Sequence, residues 1–109
     1  MIQQEQALQY FRNECEKNGV PVTQADSMQE DTWKYWCYTY KAGLRGPGKT
    51  YILKENGDIY NFGSNPLLSH VIDVPSYMEF VGAVHALCVE RGWELDDEMS
   101  LGKIGNIGD

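Results

Sequence analysis

The sequence predicts a small α+β domain: an antiparallel three-stranded β-meander flanked by an N-terminal helix and a C-terminal helix. Three observations carry that prediction. Apolar residues recur at three- and four-residue spacing in two separate stretches, 2–18 and 76–91, as on the buried faces of helices. Between them, residues 32–41 are rich in aromatic and β-branched side chains, which favour a strand. A strand–turn–strand pattern then closes on Asn56-Gly57. Strands grouped between helices, rather than alternating with them, point to α+β.

The length of 109 residues suits a single domain, 1–109, and 42% hydrophobic with 23% charged residues is ordinary globular composition. Sixteen acidic against nine basic residues give a net charge of −7. That balance opposes general affinity for nucleic acid or anionic membrane. No apolar run approaches the roughly 18–20 residues that span a bilayer. The opening MIQQEQALQYF lacks the basic flank and apolar stretch of a secretion signal, so a cytoplasmic protein is expected. Cys15, Cys37 and Cys88 are odd in number, widely spaced and set in apolar patterns. They read as reduced, buried thiols.

In the first helix the stripe is Ala7, Leu8, Phe11 and Cys15. Asn18-Gly19 supplies the stop, and Pro21 prevents continuation. Residues 23–31, TQADSMQED, are polar and read as a loop. In the strand Thr32–Lys41, alternation puts Trp33, Tyr35 and Cys37 on one face and Trp36, Tyr38 and Tyr40 on the other. Such a strand is either covered on both sides or exposes one face as a platform.

With Asn56-Gly57 at the centre of a two-residue type I′ turn, Leu53 falls opposite Tyr60 and Tyr51 opposite Phe62, on one apolar face. Ile52, Lys54, Ile59 and Asn61 take the other. A short piece, LLSHVI, follows. Ser76 and Glu79 then form a capping box for the second long helix. Its predicted stripe is Tyr77, Phe80, Val81, Val84, Leu87 and Cys88, and Gly92 ends it. The Gly-rich end, GKIGNIGD, is expected to be mobile.

Residues 43–50 spell GLRGPGKT, a literal phosphate-loop pattern. Such a loop works only where a helix N-terminus follows it, and here the next segment, TYILKENGDIY, reads as strand. The match is expected to be a strand connection with no nucleotide. His85 and Cys88 lie at i, i+3 and are read as helix boundary and core rather than metal ligands. No cofactor and no metal are expected. A small hydrolase or transferase using Cys37 or Cys88 with His70 or His85 is an alternative resting on residue types alone. From Thr32 to Lys54 there are five basic residues and no acid, interleaved with aromatics. A nucleic-acid-binding strand 32–41 is therefore a further alternative, opposed by the overall charge.

The short N-terminal helix, the W-x-Y-W-x-Y-x-Y strand from Trp33 to Tyr40 and the YILKENGDIY hairpin ending in Phe62-Gly63-Ser64 are similar to small bacterial immunity proteins. The resemblance spans about residues 1–64. It implies a non-enzymatic toxin–antitoxin role: an inhibitor that neutralises a toxin by occluding its active site. An acidic chain suits a basic toxin domain as protein partner. The candidate contacts are Glu94, Asp96, Asp97 and Glu98, with Trp36, Tyr38 and Tyr40 of the aromatic strand.

Overall fold

The computed structural model describes residues 1–39, 48–62, 71–94 and 101–109. Its elements, in chain order, are α1 (Gln4–Asn18), a 3-10 segment (Val22–Ser27), β1 (Gln29–Glu30), β2 (Lys34–Thr39), β3 (Gly48–Leu53), β4 (Asp58–Tyr60), α2 (Tyr77–Arg91) and β5 (Lys103–Asn106). The class is α+β, and the strands form one antiparallel sheet in the order β1-β2-β3-β4-β5. Among the described residues the sheet has five strands where the sequence predicts three. One addition is β1, inside the polar stretch read as a loop; the other is β5, inside the Gly-rich tail. A two-residue strand and a Gly-rich strand carry almost no pattern of their own, and both form because a neighbouring strand offers them a ladder.

α1 and α2 cover opposite faces of the sheet. Ala7, Phe11 and Cys15 of α1 pack on Tyr35, Cys37, Ile52 and Ile59. Phe80, Leu87 and Cys88 of α2 pack on Trp33, Tyr51, Leu53, Tyr60 and Phe62. The predicted helix ends hold, with Gly19 and Gly92 in the left-handed region at φ 70° and 69°. Half of the predicted capping box is present. Ser76 Oγ accepts from the Glu79 N–H at 3.2 Å, while the Glu79 carboxylate accepts from the Ser76 hydroxyl at 3.4 Å. Val71 and Ile72, the end of the LLSHVI piece, are helical and buried.

Three details of the sequence reading are corrected. The hairpin pairs Tyr51 with Tyr60 and Ile52 with Ile59, a two-residue shift from the expected register. Four residues, Lys54–Gly57, therefore connect β3 to β4. A type I′ turn needs positive φ at both central residues, but among the described residues only glycines have it. Asn56 instead uses its Oδ1 to accept from the Asp58 N–H at 2.9 Å, a local bond that keeps it out of the left-handed region. Because the shift is even, the apolar face survives intact.

The second correction concerns Trp33, which joins the α2 side rather than sharing a face with Tyr35 and Cys37. It precedes β2 in the tight β1–β2 connection, where the Asp31 N–H donates to the Lys34 carbonyl, so strand alternation does not reach it. Its indole N–H donates to the Val74 carbonyl at 2.8 Å. The third concerns Val81, expected in the buried stripe of α2 and found 44% exposed. No helix among the described residues is long and apolar enough to cross a membrane.

Candidate functional site

Of the residues singled out from sequence, Tyr40, Asp96, Asp97, Glu98 and His70 lie outside the described residues. The structure brings Trp36 and Tyr38 together. As alternate residues of β2 they share a face, and their rings meet edge-on at 5.4 Å and 85°. Cross-strand pairing sets Lys49 opposite Tyr38. The Lys49 ammonium lies 4.6 Å from the Trp36 ring centre and 5.3 Å from that of Tyr38. Trp36 is half-buried against the α2-side core, and Tyr38 is 40% exposed. Glu94 is exposed just beyond α2, after Trp93, whose ring packs on the same core.

Lys49 and Thr50 belong to the GLRGPGKT pattern, and both lie within β3 rather than at the start of a helix. The Thr50 hydroxyl meets Thr39 Oγ1 at 3.2 Å and accepts from Asn61 Nδ2 at 3.1 Å. A phosphate cradle needs that lysine and hydroxyl turned toward a helix N-terminus, and here they serve a ladder and two rings. Residues 43–47 of the pattern lie outside the described residues.

The other described lysines of the basic stretch are also occupied. Lys34 is buried, with its ammonium 3.1 Å from Asp31 and 4.5 Å from the Trp33 ring centre. Lys54 holds Glu30 at 2.7 Å and lies 5.0 Å from the Tyr35 ring centre. Lys41 and Arg45 fall outside the described residues.

All three cysteines are free and buried. Burial pushes the Cys37 thiol up, the Ser27 hydroxyl beside it acts in the opposite direction, and Cys15 adds a smaller upward push. A raised pKa keeps the thiol protonated, whereas a nucleophile is normally tuned the other way. The void beside Cys15 and Cys37 measures about 10 Å³, at the lower limit for one water and far below a substrate. Cys88 is fully buried while His85 is exposed. Among the described residues, no three His, Cys, Asp or Glu side chains come together as a metal site.

The feature that the sequence reading missed is the outer side of α2. Met78 is 75% exposed and Val89 68% exposed, with Val81 beside them. Only Glu79, Glu90 and Arg91 are charged in the helix YMEFVGAVHALCVER, so a buried stripe on one face necessarily leaves apolar residues on the other. That signal was present in the sequence. Alongside runs a groove of about 310 Å³ between α2 and the β3–β4 hairpin, at the small end of ligand-sized cavities. Leu53, Tyr60, Phe80 and Val84 form its apolar walls, and Asn56, Asp58 and His85 its polar rim. Two of the rim groups are held in place: Asn56 Nδ2 donates to the Tyr77 hydroxyl at 3.4 Å, and the Asp58 carboxylate accepts from Asn106 at 2.9 Å and pairs with Lys103 at 3.3 Å. Val81 lines the groove and is also exposed, so groove and outer helix face form one surface.

Comparison with protein-family models, with curated proteins and with solved structures gives no match.

Proposed function

We propose that this chain is a non-enzymatic protein-binding module, an immunity or inhibitor protein that neutralises a basic toxin by occluding the toxin's active site. The observation that supports it is the outward face of α2, where large apolar side chains stand in solvent next to a preformed groove. An apolar surface that the chain's own core does not use is characteristic of an interaction site. The net charge of −7 would speed encounter with a basic partner and disfavour acidic ones. Trp36 and Tyr38 form a second contact area, with the ring types that dominate binding hot spots. Three reduced, buried thiols suit action in the cytoplasm.

Neither alternative draws comparable support. The thiol of Cys37 is pushed away from the nucleophilic form, and the described lysines of the basic stretch 32–54 are engaged by carboxylates or rings.

The test is co-expression of the chain with the product of each neighbouring gene, scoring growth rescue and co-purification. Rescue by direct binding to one product is the expected result. If no neighbouring product is toxic, or none is bound, the proposal falls.

A further inference from the structure

We infer that the outward face of α2 is built to receive a basic amphipathic helix. The inference rests on the protein-binding reading above and assigns the partner's chemistry at that surface. At about 100° per residue, Met78, Gly82, His85 and Val89 lie within one narrow sector of the helix, turned away from the packed residues Phe80 and Leu87. This ridge runs nearly the length of α2, and its two end residues are the most exposed large apolar side chains of the helix.

The two flanks of the ridge differ. Val81 and the groove lie on one side. Glu79 and Glu90 lie on the other, both exposed and three turns apart, about 16 Å along the axis. Arg91, the one cation of α2, projects to the packed side of the wheel.

That asymmetry selects the occupant. A second copy laid antiparallel on the ridge would set Glu79 against Glu90 of the copy at both ends, between molecules that each carry −7. A helix with an apolar face and Lys or Arg spaced three turns apart along one edge would match the same flank. It would lay small and medium apolar residues on Met78 and Val89 and insert one larger side chain beside Val81 into the groove. The geometry is that of a helix docked in an apolar groove with charge setting its orientation.

The probes are two synthetic helical peptides of about four turns with the same Leu/Ala face, one carrying Lys along its edge and the other Glu. Binding to the full chain is read by fluorescence anisotropy at physiological salt. The Lys peptide should bind at least about tenfold more tightly than the Glu peptide. Val89→Glu, an exposed change checked for unaltered thermal unfolding, should weaken it about tenfold or more. The double reversal Glu79→Lys with Glu90→Lys should invert the preference between the peptides. Equal affinity for the two peptides, absence of binding, or indifference to both variants overturns the inference. So does a concentration-dependent dimer, seen by sedimentation and abolished by Val89→Glu, because the face would then belong to a second copy. A toxin captured through another surface would sink this inference and leave the functional proposal standing; peptide binding without any toxin partner would do the reverse.

Discussion

Gly57 is where the hairpin, the start of the chain and the last strand converge, and replacing it with alanine should be strongly destabilising. Its φ is 78°. Its N–H donates to the Leu53 carbonyl and its carbonyl accepts from the Ile107 N–H, both at 2.9 Å. A Cβ here would lie 2.5 Å from Ile107 Cγ2 and 3.0 Å from Ile2 Cδ1. Carbon atoms in ordinary contact sit about 3.5–4.0 Å apart. Ile2 can rotate the end of its side chain away. Ile107 cannot easily do so, since Cγ2 is attached directly to Cβ and the backbone is tied to Gly57. The left-handed backbone costs alanine about 1–2 kcal/mol, and overpacking of this kind about 1–3 kcal/mol. Gly57→Ala should therefore destabilise by about 2–5 kcal/mol, a large share of the roughly 5–15 kcal/mol typical of a domain. Urea unfolding followed by tryptophan fluorescence measures it. Adding Ile107→Ala should recover the overpacking part and leave the backbone part, giving a coupling of about 1 kcal/mol or more in the double-mutant cycle. A loss under about 0.5 kcal/mol, or zero coupling, would refute a convergence of the three segments at Gly57.

Lys49→Ala should lower stability by about 0.5–1 kcal/mol by uncovering the Trp36 and Tyr38 rings. ATP or GTP with magnesium should leave the melting temperature unchanged, and a Lys49-dependent rise would reinstate the phosphate-loop reading. Trp33→Phe should cost about 1–3 kcal/mol in chemical unfolding, because the Val74 carbonyl loses its indole donor. Tyr51 is pushed up to about 12 by burial first and then by Asp73, Tyr38 and Asp31, and Tyr10 to about 12 by burial and Glu14. Unfolded tyrosine ionises near pH 10, so the unfolded chain releases these protons first. The contribution of these two tyrosines to stability should be level below about pH 10 and be lost between there and about pH 12. Discounted for solvent screening, Tyr51 should account for about 1–2 kcal/mol of that loss. Tyr51→Phe should flatten the profile, and an equally steep fall in that variant would contradict the assignment.

The parts of the fold legible in the sequence are those set by local chemistry. The stripe Ala7, Phe11, Cys15 places α1 on the sheet, Ser76 starts α2, and alternation assigns Tyr51, Leu53 and Tyr60 to one face. The parts that were not legible depend on partners distant in sequence. β5 exists because β4 offers it a ladder, and the hairpin register depends on how Asn56 spends its side chain. At the candidate surface, the Trp36–Tyr38 pair follows from strand alternation, whereas Lys49 above it follows from cross-strand register. The exposed ridge of α2 is implied by a helix with so few charged residues, but apolar periodicity alone does not separate a buried face from a second, exposed one.

The sheet's spatial order is its chain order. That has a kinetic consequence. β3 and β4 close over four residues, whereas β5 reaches β4 only after the chain has passed through the whole of α2. Loop closure must precede the contacts that offset it, so the hairpin is the natural nucleus and β5 the last piece to dock. Ile52→Val, at a fully buried position near the hairpin end of β3, should then act mainly by slowing refolding. Leu101→Ala, equally buried beside β5, should leave refolding almost untouched and speed unfolding instead.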